Sequence, residues 1–229
     1  FSTPLRPENP VPYVNQKGVV ERDLTPKEAY YVFQSYWADR PIVHIYGHSW
    51  PIRWGAEDDL KTLKVYSNCD RVELLLNGES LGVRKRDSQD FPAAGLRWDT
   101  KLRTGKNLVS VIGYKGKQTV YDELIFTYET RKWGSGAAID VTLQGVGENV
   151  WVEAQIVDAN GVPCLDSRSY IEFSAAGDGE MVQNLGTSSG SSRLQAFNGR
   201  ARIKVNKHGG QTVVSVRSDG LPTQFVTIK

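Results

Sequence analysis

The sequence predicts a mainly β protein: two immunoglobulin-like β-sandwich domains, preceded by an extended segment and one helix. Three observations carry this reading. Short runs of alternating apolar residues recur from Pro41 to the end of the 229-residue chain, bounded by Gly, Asn, Asp and Ser. Asn77-Gly78 stands between two such runs, and a type I′ hairpin turn needs the positive φ that this pair tolerates twice. "TRKWGSGAA" (Thr130–Ala138) then breaks the alternation and reads as a linker between two sets of strands.

The elements follow in chain order. Residues 1–39 form a first region. "FSTPLRPENPVPYVNQKG" is proline-rich and extended, and reads as the middle of a longer protein rather than the start of a fold. A helix is expected over about 25–38. Thr25 is its N-cap, Pro26 suits the first position, and Glu28 completes a capping box. Ala29, Val32, Phe33, Tyr36 and Trp37 line one apolar face at helical spacing. So large an aromatic face demands a substantial partner, either a sheet edge or protein outside this chain.

Residues 40–132 form the first sandwich, with about seven strands. "PIVHIYG" alternates, with Ile42, His44 and Tyr46 on one side. "KTLKVYS" places Leu63 and Val65 inward. "DRVELLLNGESLGVRK" does the same with Val72, Leu74 and Leu76, then turns at Asn77-Gly78. "GLRWDT", "NLVSVIGYK" and "TVYDELIFTYE" complete the set. Residues 137–229 form the second sandwich. Its strands lie in "AIDVTLQG", "NVWVEAQIVDANG", "YIEFSAAG", "GRARIKVN", "TVVSVRSDG" and "QFVTIK", with turns at "ANG", "GDGE", "SSGSS" and "HGG".

Composition excludes several function classes. Twenty-eight Lys and Arg against 26 Asp and Glu leave a net charge of +2, too little for a strong field towards nucleic acid or acidic membranes. No run of 18 apolar residues exists to span a bilayer. Two cysteines, Cys69 and Cys164, are too few and too distant for a disulfide framework, and each is expected as a small buried residue of its own domain. The "VRKR" cluster (Val83–Arg86) reads as a solvated strand end.

Candidate chemistry is sparse. "HIYGHSW" holds His44 and His48 four positions apart. On a strand that spacing separates the side chains by roughly 13 Å at ~3.3 Å per residue, too far for a shared zinc ion with ~2 Å bonds. No metal ligand, cofactor site or catalytic residue is therefore assigned. Trp50 and Trp54 are the candidates for carbohydrate contact, since exposed indoles stack on sugar rings. The alternative is that they bury surface at a core or interface. "AEDDL" (Ala56–Leu60) reads as a solvated loop, and no carboxylate pair is marked out for glycoside hydrolysis. Asp158 in "VDANG" reads as a turn residue, with a calcium loop as the alternative.

"NQKGVVERDLTPKEAYYVFQSYWADRPIVHIYGHSW" and, after it, "VYSNCDRVELLLNGESLG" resemble the C-terminal part of glycoside hydrolase family 2 enzymes, the β-galactosidase and β-glucuronidase group. The resemblance spans Asn9 to Thr130. Residues 137–229 look like the further Ig-like domain of many bacterial members, shared with invasin-like adhesins. What this implies is an inactive accessory fragment. The helix would be the last of a (β/α)₈ barrel, and its aromatic face would pack on that barrel. The catalytic glutamates would lie on barrel strands before Phe1. The parent would be a periplasmic or secreted bacterial glycosidase acting on O-glycosidic bonds, β-galactosides first among them, with homo-oligomers formed through the parent. A carbohydrate-binding module and an adhesin-like Ig array are the alternatives. One departure is that Gly47-His48-Ser49-Trp50 stands where relatives often carry Pro-His-Trp.

Overall fold

The computed structural model describes residues 18–20, 24–86, 95–145, 147–182 and 192–229. Most of the expected extended lead-in over 1–24, and most of the "SSGSS" turn, lie outside them. The chain divides into two compact units, Pro26–Arg131 and Lys132–Lys229, the second also taking in the chain before Pro26.

The first unit contains α1 (Glu28–Trp37) and eight strands: β1 (Val43–Ile45), β2 (Ile52–Trp54), β3 (Leu60–Ser67), β4 (Arg71–Leu76), β5 (Glu79–Arg84), β6 (Leu96–Lys101), β7 (Gly105–Lys115) and β8 (Gln118–Glu129). Two sheets form, of order β1-β3-β6 and β2-β8-β7-β4-β5. Among the described residues only β2 pairs in parallel, through Ile52, Arg53 and Trp54 to Thr127, Tyr128 and Glu129. Alternation supplies the core, as expected from the sequence. Leu63 and Val65 of one sheet meet Val72, Leu74, Val109, Val111 and Phe126 of the other. Trp98 is buried among them, and its indole Nε1–H donates to the Gly82 carbonyl at 3.0 Å. The Asn77-Gly78 turn adopts the expected positive φ values, 53° and 90°. The Asn77 side chain then closes the hairpin onto β7, its Oδ1 accepting from the Leu108 amide.

The second unit is another sandwich. Its sheets run β12 (Glu180–Met181), β14 (Arg200–Asn206), β10 (Asn149–Asp158), β9 (Gly136–Gln144) and β13 (Arg193–Gln195), β11 (Tyr170–Gly177), β15 (Thr212–Arg217), β16 (Gln224–Ile228). Val152, Ala154, Ile156, Ile203 and Val205 of one sheet face Ile171, Phe173, Val214 and Val216 of the other. Cys69 and Cys164 are both buried and free, one in each unit, as their types predict.

Two local expectations are corrected. The helix starts at Glu28, not near Thr25. Its N-cap is Lys27, which makes no side-chain cap bond, so the capping box does not form. Glu28 is drawn away because buried donors elsewhere need its carboxylate. The expected strand "PIVHIYG" is cut to three residues. Residues 46–49 turn instead, and Gly47 adopts φ +94°. A Cβ at Gly47 would come within 2.8 Å of an Arg53 guanidinium nitrogen. Glycine is favoured there by the positive φ, and a side chain would also have to displace the Arg53 guanidinium.

Candidate functional site

The turn after β1 reverses the expected distance between the histidines. His44 and His48 do not stand 13 Å apart; their rings stack at a centroid distance of 4.9 Å. The physical reason is the left-handed Gly47, which folds His48 back over His44 where a continued strand would carry it away. Tyr31 of α1 stacks on His44 from α1, nearly parallel at 3.4 Å. His44 is buried and His48 is exposed.

Two carboxylates complete the cluster. Glu28, the first residue of α1, accepts from the Gly47 amide at 2.9 Å and lies 3.3 Å from His44 Nε2. Asp122, from β8, accepts from the Ile45 amide at 2.7 Å and from His48 Nε2 at 2.9 Å. The same Asp122 oxygen lies 3.9 Å from His44 Nδ1. Arg53 sits close by, its guanidinium donating to the Tyr46 carbonyl at 3.1 Å and lying over the Phe126 ring at 4.1 Å. A proline at position 47 would have neither the amide that binds Glu28 nor access to φ +94°.

The charges set one another. Burial pushes the Glu28 carboxyl up, but the hydrogen bonds from His44 and the Gly47 amide, with the charge of both imidazoles, hold it below its ordinary value. Asp122 follows the same balance: burial raises it, and His48 and the Ile45 amide lower it further than burial lifts it. The hydrogen bond to Asp122 raises His48 against the opposing effect of burial. Burial and the nearby Glu28 and Asp122 charges push the Tyr31 phenol up.

The sequence did not point to Glu28 as a joint or to Asp122 at all. A signal existed for Asp122. Val120, Asp122, Leu124, Phe126 and Tyr128 share one face of β8 by their period of two, so a carboxylate interrupts an inward-facing apolar row. Arg86 was also missed. It donates to the Ser35 carbonyl at 2.9 Å and lies 4.2 Å from the Tyr36 ring, while Asn68 caps the Ala38 and Arg40 carbonyls at 2.8 Å each. These two side chains close the C-terminal end of α1, work that the helix sequence itself does not supply.

The tryptophans are separated by role. Trp50 is half-buried and packs edge-on against Tyr46 at 5.1 Å. Trp54, on the parallel edge strand β2, is 41% exposed. Trp133 donates its indole hydrogen to Asp166 at 2.6 Å, and Trp151 lies under Arg202 at 4.5 Å. "AEDDL" is solvated as expected, with Asp58 and Asp59 paired to Lys101 and Lys61. Asp158 is a turn residue: its carboxylate accepts from the amides of Asn160, Val162 and Gly134 at 2.8–2.9 Å.

The outer side of α1 differs from the side on the sandwich. Glu28, Tyr31 and Ser35 face inward. Phe33 and Trp37 stack on each other at 4.8 Å and stay exposed, at 43% and 76%. Among the described residues no helix is long and apolar enough to cross a membrane.

Comparisons with known proteins place this geometry. A family model described as "Domain of unknown function (DUF4982)" matches residues 59–121, within the first unit. The chain is similar over its whole length to the crystal structure of a β-glucuronidase from Parabacteroides merdae, at 55% identity and a TM-score of 0.93, covering 30% of that chain. A curated Formosa agariphila relative, bearing a provisional β-glucuronidase name, is 42% identical over all of this chain and 28% of its own length. β-Galactosidase BoGH2A of Bacteroides ovatus is 27% identical over 89% of this chain and 24% of its own. The chain thus spans under a third of the length of each of these three relatives.

Proposed function

We propose, given that this chain is a region of a glycoside hydrolase family 2 protein, that it is the non-catalytic C-terminal accessory part of a bacterial glycosidase. The observation that carries the reading is the division of α1. One face is bonded to the sandwich by Glu28, Tyr31 and the Ser35 carbonyl. The other presents Ala29, Phe33 and Trp37 to solvent. An exposed stacked pair of aromatics is costly in water and is accounted for by a partner that covers it. The partner proposed is the catalytic barrel of the same polypeptide, with α1 as its last helix. The sandwich would buttress that barrel and bear on its substrate entrance or on a contact between copies of the parent.

For the parent's substrate, β-glucuronides replace the β-galactosides first expected. Relatives at 55% and 42% identity carry β-glucuronidase names, against 27% for the β-galactosidase. A periplasmic or secreted parent is proposed on the family resemblance and is checked by fractionating the source cells. Turnover of chromogenic β-glucuronide and β-galactoside by the full-length protein, beside the 229-residue chain, tests the function. Glucuronide cleavage is expected from the full-length protein only. Turnover by the chain alone would refute the accessory role.

A further inference from the structure

The Glu28–His44–His48–Asp122 cluster has the makings of a cation site that the accessory role does not require. The ligating atoms of His44, His48 and Asp122 all lie within 4.8 Å of one another. Asp122 Oδ2 is 2.9 Å from His48 Nε2 and 3.9 Å from His44 Nδ1. A tetrahedral ion with bonds of ~2.0–2.1 Å holds its donors roughly 3.3 Å apart, so the donors farthest apart must close by about 1.5 Å, which the exposed His48 side chain does by turning towards Asp122 and His44 Nδ1.

The tautomer of His44 is set for the task. A carboxylate only accepts, so the contact of Glu28 Oε2 with Nε2 at 3.3 Å puts the ring proton on Nε2. Nδ1 then carries the lone pair, and it is the nitrogen on the Asp122 side. A carboxylate holding the far nitrogen of a ligating histidine is the usual support behind such a ligand. Tyr31 stacks on the ring at 3.4 Å and fixes its plane, while His48 must swing off its own stack with His44 to ligate. The charge count also favours a cation. Once the ion displaces the His48 proton, Glu28 and Asp122 face the Arg53 guanidinium alone, which leaves one negative charge for the ion to balance.

We propose that His44, His48 and Asp122 bind a single divalent cation of the Zn²⁺ type, with Glu28 orienting His44 and a fourth position open to water. Two imidazoles with one carboxylate suit Zn²⁺ and its neighbours over Ca²⁺ or Mg²⁺, which take oxygen ligands. Binding displaces the proton between His48 Nε2 and Asp122 Oδ2. Exposed His48 gives the ion its way in. The ion would pin β1, the Gly47 turn and β8 to one another, and through Glu28 would fix the start of α1.

The test titrates the chelator-dialysed 229-residue chain with ZnCl₂ by calorimetry and follows thermal unfolding with and without the ion. One saturable site and a higher midpoint are expected. His48→Ala should abolish both, and Glu28→Gln should weaken binding by about ten-fold, as loss of an orienting partner does. His208→Ala should change neither. Because His48 is exposed, its variant is expected to unfold cooperatively in the absence of metal, which separates lost binding from lost fold. Absence of saturable binding in the folded chain would overturn the proposal. So would a single site that survives His48→Ala.

Discussion

The two sides of α1 obey different physics. Its inner side is polar and ordered by named bonds: Glu28 to Gly47 and His44, Tyr31 on His44, and the Ser35 carbonyl to Arg86. Its outer side is aromatic, and Phe33 and Trp37 touch mainly each other. Ordinary surface helices reverse this, with apolar residues inward and polar ones outward. Under the proposed function the inversion makes α1 a joint: the sandwich holds it by directional contacts, and its apolar face would serve another body.

Substitutions sharpen that contrast, and the largest effect on the isolated chain is expected on the inner side. Asp122→Ala removes the acceptor for the Ile45 amide and for His48, and should cost about 2 kcal/mol in urea unfolding, as stranded buried donors do. Tyr31→Ala strips the stack from His44 and should cost about 1 kcal/mol by the same measurement.

Acid and base give a subtler probe of the metal-free chain. His48 is raised on folding, so its contribution is complete below its unfolded value near 6.5 and fades as pH rises through the folded one. Glu28 and Asp122 are lowered, so theirs is complete above about pH 4–4.5 and fades as pH falls through their folded values. The stability gap between wild type and Asp122→Ala should therefore be widest between about pH 4.5 and 6.5. A gap that widens steadily towards pH 9 would contradict the pairing. Smallest of all, Phe33→Ala and Trp37→Ala should each shift the isolated chain by no more than about 0.5 kcal/mol, as exposed side chains do.

The legible parts of the fold were those written in nearby residues. The Asn77-Gly78 hairpin follows from local backbone preference, and Val72, Leu74 and Leu76 from a period of two. The illegible parts depended on residues far apart in sequence. Glu28 looked like a capping residue because its true partners lie 16 and 19 positions on. His48 looked remote from His44 because one glycine's choice of φ decides between strand and turn, and alternation does not report it. Asp122 met its partners across 74 and 77 residues. Asp158 went the other way: its turn partners, Asn160 and Val162, are two and four residues on, and its role was readable. The aromatic stripe of α1 was legible as apolar. That it faces away from the sandwich was not, because the inner contacts come from His44, Gly47 and Arg86.

The most direct measurement compares the same double variant, Phe33→Ala with Trp37→Ala, in the 229-residue chain and in the full-length protein. Thermal and urea unfolding of each give the stability change. If the outer face of α1 seats on the catalytic barrel, the variant should leave the chain almost unchanged and destabilise the full-length protein by roughly 3 kcal/mol or more, the cost of truncating buried aromatics. Equal and small effects in both would contradict the account.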